Sequence, residues 1–181
     1  MDAPRSALDG LGIHVKKRIM NPILLVYTLL HVVISLLGIA SGFVVIWGLV
    51  TEKRFDGWTK IFLTSTVLTS VTGFGFPVDH FMPSHALGII SLVVLALAVI
   101  ARYARQFLGA WRWIYIVAAV AAQYLNFFIL IVQAFQKVPA LKAMAPTQSE
   151  PPFVITQLAA LVMFLLLGMF AIIRFHPGAQ K

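Results

Sequence analysis

The chain contains no cysteine, which excludes disulfides, thiolate metal sites, c-type haem attachment and a cysteine nucleophile. Acidic side chains are also scarce. Six Asp and Glu among 181 residues form no close carboxylate pair, and the sequence has no H-E-x-x-H, no G-x-S-x-G and no P-loop. Hydrolytic and phosphoryl-transfer chemistry therefore has no foothold. Charged residues of either sign make up 11% of the chain, against about 25% in ordinary globular proteins.

Apolar side chains fill the space these absences leave. With 60% hydrophobic residues and a mean hydropathy of +0.93, the chain is too apolar to hide its side chains in one soluble core of this size. The solvent must be lipid. A membrane-spanning helix takes about 20 mostly apolar residues, and five runs qualify, at about 22–49, 58–76, 85–103, 113–136 and 153–174. The expected fold is all-α: a polytopic bundle of five transmembrane helices forming a single transmembrane domain over 1–181. Lys16, Lys17 and Arg18 precede the first run like the start of a signal peptide, but the run is too long for one and reads as an uncleaved anchor.

With five crossings, the amino terminus and loops 77–84 and 137–152 share face A. Loops 50–57 and 104–112 and the carboxyl terminus share face B. Of the fourteen Lys and Arg, six fall on face A (Arg5, Lys16, Lys17, Arg18, Lys137, Lys142) and eight on face B (Lys53, Arg54, Lys60, Arg102, Arg105, Arg112, Arg174, Lys181). The net charge of +8 suits membrane orientation and anionic headgroups; no basic domain for nucleic acid is formed. The two tight basic turns on face B favour that side as cytoplasmic, whereas Lys16, Lys17 and Arg18 before the first run argue the other way.

Polar residues recur at helical spacing. In the first run Thr28, His31, Ser35, Gly38 and Gly42 line one stripe, and Gly38 and Gly42 form a G-x-x-x-G that admits a close neighbour. In the second, Ser65, Thr69 and Thr72 share a face. In the fourth, Ala119, Gln123, Asn126, Leu130, Gln133 and Lys137 repeat at heptad-like steps and put two carboxamides near the bilayer middle, where they must point into the bundle. Two readings of Gln123 and Asn126 stand side by side: hydrogen bonds between helices, or contacts to a cofactor or solute.

The second run ends at "GFGFP", and Asp79, His80 and His85 follow within the next eight residues. Three readings compete for the histidines. His31 and His85 are candidate axial ligands of a haem b, or polar partners of a quinone, with Gln123 and Asn126 completing the cofactor site. Alternatively Asp79, His80 and His85 hold a divalent ion, or serve proton or solute passage. In the third reading His31 hydrogen-bonds a neighbouring helix and the other two are interfacial. Loop 137–152, with Pro139, Pro146, Pro151 and Pro152, caps the same face.

The strings "LTSVTGFGFP", "HALGIISLVVLALAVIARY" and "FQKVPALKAMAPTQSEPPF" resemble a family of small bacterial inner-membrane proteins of unassigned function, over most of residues 22–175. The resemblance implies a multi-pass protein of the bacterial inner membrane and transfers no activity. A looser likeness to helical cytochrome-b-type membrane proteins rests on histidine placement alone. The expected partners are the lipid bilayer and either further copies of this chain or a larger membrane complex, in which it is a redox component, a pathway or an accessory scaffold.

Overall fold

Lipid offers a peptide group no water, so a chain this apolar must satisfy its backbone internally. Among the described residues it does so with helices and no strand. The computed structural model describes residues 22–77 and 83–176. The chain divides into two compact units, Met1–Val33 and Ile34–Lys181. Among the described residues the helices are α1 (Pro22–Val50), α2 (Asp56–Gly73), α3 (Pro83–Val99, continued by a π-helical turn over Ile100–Ala104), α4 (Trp111–Lys137), α5 (Pro139–Met144) and α6 (Pro151–Arg174).

Four of them, α1, α3 with its π turn, α4 and α6, are long and apolar enough to cross a bilayer. The second apolar run is not in that set. Its helix, α2, lies at 56–73 rather than 58–76. It starts on Asp56 and stops where Phe74 and Gly75 turn back to the carbonyls of Val71 and Thr72 at 3.2 and 3.1 Å. Within loop 137–152, Pro139 opens the short helix α5.

Within the second unit the helices alternate in direction, as contacts at their two ends show. At one end the Lys53 N–H donates to the Gly48 carbonyl at 2.8 Å, Arg102 pairs with Asp56, and Arg112 donates to the Phe175 carbonyl at 2.6 Å. At the other end Phe74 stacks on His85, Phe135 meets Phe153 edge-on at 5.3 Å, and Gln148 Nε2 donates to the Val132 carbonyl at 3.0 Å. The first of these ends is face B and the second face A. Since Asp56 meets Arg102 and Phe74 meets His85, α2 lies beside α3 along its whole length.

α4 is the central helix. Its apolar window is 44% buried, more than in any of the other three. Ala118, Ala119 and Ala122 are buried along it, and such small side chains let neighbouring backbones approach. An aromatic layer of Phe43, Tyr124, Phe127 and Phe164, with ring centroids 5.7 to 6.0 Å apart, ties α1, α4 and α6 together. The outer face of α6 is the reverse case: Ile155, Leu165 and Ile173 are 63–64% exposed, an arrangement suited to lipid and costly in water.

Candidate functional site

The polar seam begins at the two glycines of α1. A β-carbon on Gly42 would overlap Oε1 and Cδ of Gln123 and lie 2.9 Å from Phe62; one on Gly38 would lie 3.2 Å from Ser65 Oγ and 3.3 Å from Thr66 Oγ1. The G-x-x-x-G is therefore the wall against which α2 and α4 pack. Into the notch at Gly42 goes the fully buried Gln123 side chain, whose Nε2 donates to the Ile39 carbonyl at 2.8 Å. One turn further along α4, Asn126 Nδ2 donates to Thr66 Oγ1 at 3.1 Å. Both amides thus point inward, one to α1 and one to α2.

Most hydroxyls in these helices return to their own backbone. Ser41 donates to Leu37, Ser65 to Ile61 and Thr72 to Leu68, at 2.6 to 2.7 Å, the usual solution where water is absent. Thr69 Oγ1 and Gln123 Oε1 are buried without a hydrogen-bond partner, as is Oε1 of Gln157, whose Nε2 donates to the Phe128 carbonyl at 3.3 Å. The heptad-like stripe leaves the interior before its end: Ala119 and Gln123 are buried, Asn126 is half-buried and Gln133 is exposed.

The His85 ring stacks on Phe74 with centroids 5.5 Å apart and planes 22° from parallel, and Phe74 also closes on Gly88, where a β-carbon would lie 3.1 Å from the ring. Below them Ser70 donates to Ser91 across α2 and α3 at 3.2 Å. His31 lies on α1 in the first unit, one turn after Thr28, whose hydroxyl returns to the Leu24 carbonyl at 2.7 Å. It falls in a different compact unit from His85, and each is placed within its own. Asp79 and His80 lie outside the described residues. Among the described residues no three His, Asp or Glu side chains gather as a metal site.

Sequence reasoning passed over the second polar centre, at face B. Arg102, which the sequence reads as a loop charge, sits in the π-helical turn with its side chain 7% exposed, paired with Asp56 and donating to Tyr115 Oη at 3.3 Å. Its guanidinium lies 5.6 Å from the ring centres of Tyr103, Phe107 and Tyr115. Phe107 reaches this position through a strained turn: Gln106 and Phe107 have φ of 48° and 62°, which L residues adopt at a cost of about 1–2 kcal/mol each. Burial of the Phe107 ring against Tyr115 at 4.9 Å and Phe175 at 5.8 Å offsets that cost. The available signal was an arginine inside an apolar run, with Asp56 opposite it in the up-down order of helices.

Comparison with protein-family models, with curated proteins and with solved structures finds no match to this chain. Its chemistry has to be read from the residues themselves. Carboxamides and hydroxyls at the centre do not titrate near neutral pH, so the seam suits hydrogen bonding between helices and not proton abstraction. The Arg102 centre joins α2, α3 and α4 through one cation.

Proposed function

We propose that this chain is a five-crossing protein of the bacterial inner membrane that acts as a non-catalytic accessory or scaffold subunit, its helices held in register by an internal polar seam. The fifth crossing rests on α2. At 1.5 Å per residue its 18 residues reach about 27 Å, close to the roughly 30 Å of a hydrocarbon core, and it accompanies α3 from end to end. The hydroxyls of α2 that return to its own backbone make it compatible with lipid despite its modest hydropathy. The bacterial setting rests on the resemblance of the strings quoted above.

The observation that carries the scaffold reading is the Gln123 amide seated in the Gly42 notch. An interhelical hydrogen bond in lipid is worth about 0.6 kcal/mol on average, whereas a buried acceptor without a partner costs about 1–3 kcal/mol. Gln123 makes one such bond and leaves Oε1 without a partner, so net stability is not what it supplies. Filling one notch at one depth does fix the sliding register of α1 on α4.

A second reading, a proton or small-solute pathway, is favoured by the partnerless oxygens of Thr69 and Gln123, which are places where water would bind. One preparation separates the readings. Protein purified and reconstituted into vesicles is expected to be colourless and to pass protons no faster than protein-free vesicles. In native membranes it is expected to migrate with a larger assembly. Flux abolished by Gln123→Leu would replace the scaffold reading with the pathway. A Soret band lost on His31→Ala or His85→Ala would replace it with haem-based redox.

A further inference from the structure

All four tryptophans of the chain lie at face B. Trp47 is in the last turn of α1, Trp58 in the first turn of α2, and Trp111 and Trp113 open α4. Trp47, Trp58 and Trp113 are exposed, at 63%, 44% and 51%, as expected of rings seated among headgroups. Interleaved with them are Lys53, Lys60, Arg105 and Arg174, all exposed, together with Arg54 and Arg112. Arg105 lies 5.1 Å over the Trp111 ring and Arg112 5.8 Å over Trp113, so cation and indole form joint surfaces.

The acids at this end do not balance the cations. Among the described residues face B has Glu52 and Asp56, and Asp56 is taken up by Arg102 and, at 3.7 Å, by Arg54. At face A the described residues include Lys137, Lys142 and Glu150 and no tryptophan. We infer that face B is a collar that selects anionic phospholipid headgroups, with Lys53, Lys60 and Arg105 binding the phosphates and the indoles fixing their depth. Lys60 is set one turn inside α2, where a long side chain can lie along the helix and return its ammonium to the headgroup level. The proposal rests on the crossing of the membrane and not on the role of the interior seam.

The placement of the tryptophans supplies the assay, because their emission reports this end alone. The full chain is reconstituted in phosphatidylcholine vesicles containing an equal fraction of chain-brominated phosphatidylglycerol or chain-brominated phosphatidylcholine, and quenching is compared. The native protein is expected to be quenched more by the anionic lipid, with a preference that falls as salt is raised. Each removed cation is expected to lower the relative binding constant about fivefold. The variant Lys53→Gln, Lys60→Gln, Arg105→Gln should therefore show no preference. Lys137→Gln with Lys142→Gln should keep the native preference. Unchanged quenching by brominated phosphatidylcholine shows that a variant is still inserted. Equal quenching of the native protein by both lipids overturns the proposal, as does a preference that survives the triple substitution or is lost equally in the face A variant.

Discussion

Gln123 occupies the space that a side chain at Gly42 would need, and the two residues define one contact between α4 and α1. Gly42→Ala drives a methyl group into the amide and the Phe62 ring. The expected cost is about 1–3 kcal/mol, in the range of overpacked cores. Gln123→Ala alone loses the bond to Ile39 but opens the notch, so the double variant should be more stable than the sum of the single losses. A double-mutant cycle by unfolding in detergent checks this, and strict additivity would mean that the two side chains do not share the space.

Gln123→Leu and Asn126→Leu address the seam differently, because leucine keeps approximate volume and removes the polar partners. Each is expected to cost about 0.6 kcal/mol and no more than about 1.7 kcal/mol. Gln123→Leu also removes the partnerless Oε1, which pulls its cost towards zero. A larger loss for Gln123 than for Asn126 would mean that a bound water satisfies that oxygen in the native protein.

The Arg102 centre is asymmetric, with the arginine buried and the aspartate 60% exposed. Solvent screens the pair from the Asp56 side, so Asp56→Asn should cost about 1.5–3 kcal/mol, as for a hydrogen bond to a charged group, and not the 3–5 kcal/mol of a fully buried pair. Arg102→Lys should not restore the native state, because an ammonium cannot stack as a plane beside Tyr103, Phe107 and Tyr115. Thermal unfolding of Asp56→Asn, Arg102→Lys and Arg102→Met orders these effects. Arg102→Lys matching the native protein would show that charge alone matters.

The contrast between the two polar centres explains what could be read in advance. Apolar runs of about twenty residues announce their helices, and a carboxamide at mid-membrane must turn inward, so the seam was legible down to Gly42 and Gln123. Its partners were not, because Ile39 offers a backbone carbonyl, which has no sequence signature. Arg102 looked like one more loop cation, since its burial depends on the π turn and on the left-handed backbone of Gln106 and Phe107, which no residue type there requires. The Thr28 and Ser65 hydroxyls return to the Leu24 and Ile61 carbonyls of their own helices, while Ser65 still faces Gly38.

Glu150 gives a pH-dependent loop at face A. Desolvation is the largest single influence and raises its pKa, but the hydrogen bonds from the Thr147 N–H and hydroxyl at 3.1 and 2.9 Å and from the Ser149 N–H at 3.1 Å together outweigh it and hold the carboxyl below the ordinary 4.5. A depressed carboxyl pKa contributes stability that is fully present above the unfolded value and is lost as pH falls through the folded one. Exchange protection of the Thr147 and Ser149 amides should therefore be constant near neutrality and decline below pH about 4.5. In Glu150→Gln it should be low at every pH. Protection that is flat through the acid range would show that the carboxylate does not hold the turn.

The number of crossings is decided by α2, and the absence of native cysteine makes the test direct. Lys53 precedes α2 and Gly75 follows it, both exposed, while the exposed Met144 ends the short helix α5 at face A. If α2 crosses the bilayer, a membrane-impermeant maleimide should label Lys53→Cys from one side and both Gly75→Cys and Met144→Cys from the other. This expectation rests on the pairing of α2 with α3 along its length, with Asp56 meeting Arg102 at one end and Phe74 meeting His85 at the other. A re-entrant or interfacial α2 would instead leave Lys53 and Gly75 on the same side. That result would reduce the chain to four crossings and remove α2 from the wall against which Gly38 packs.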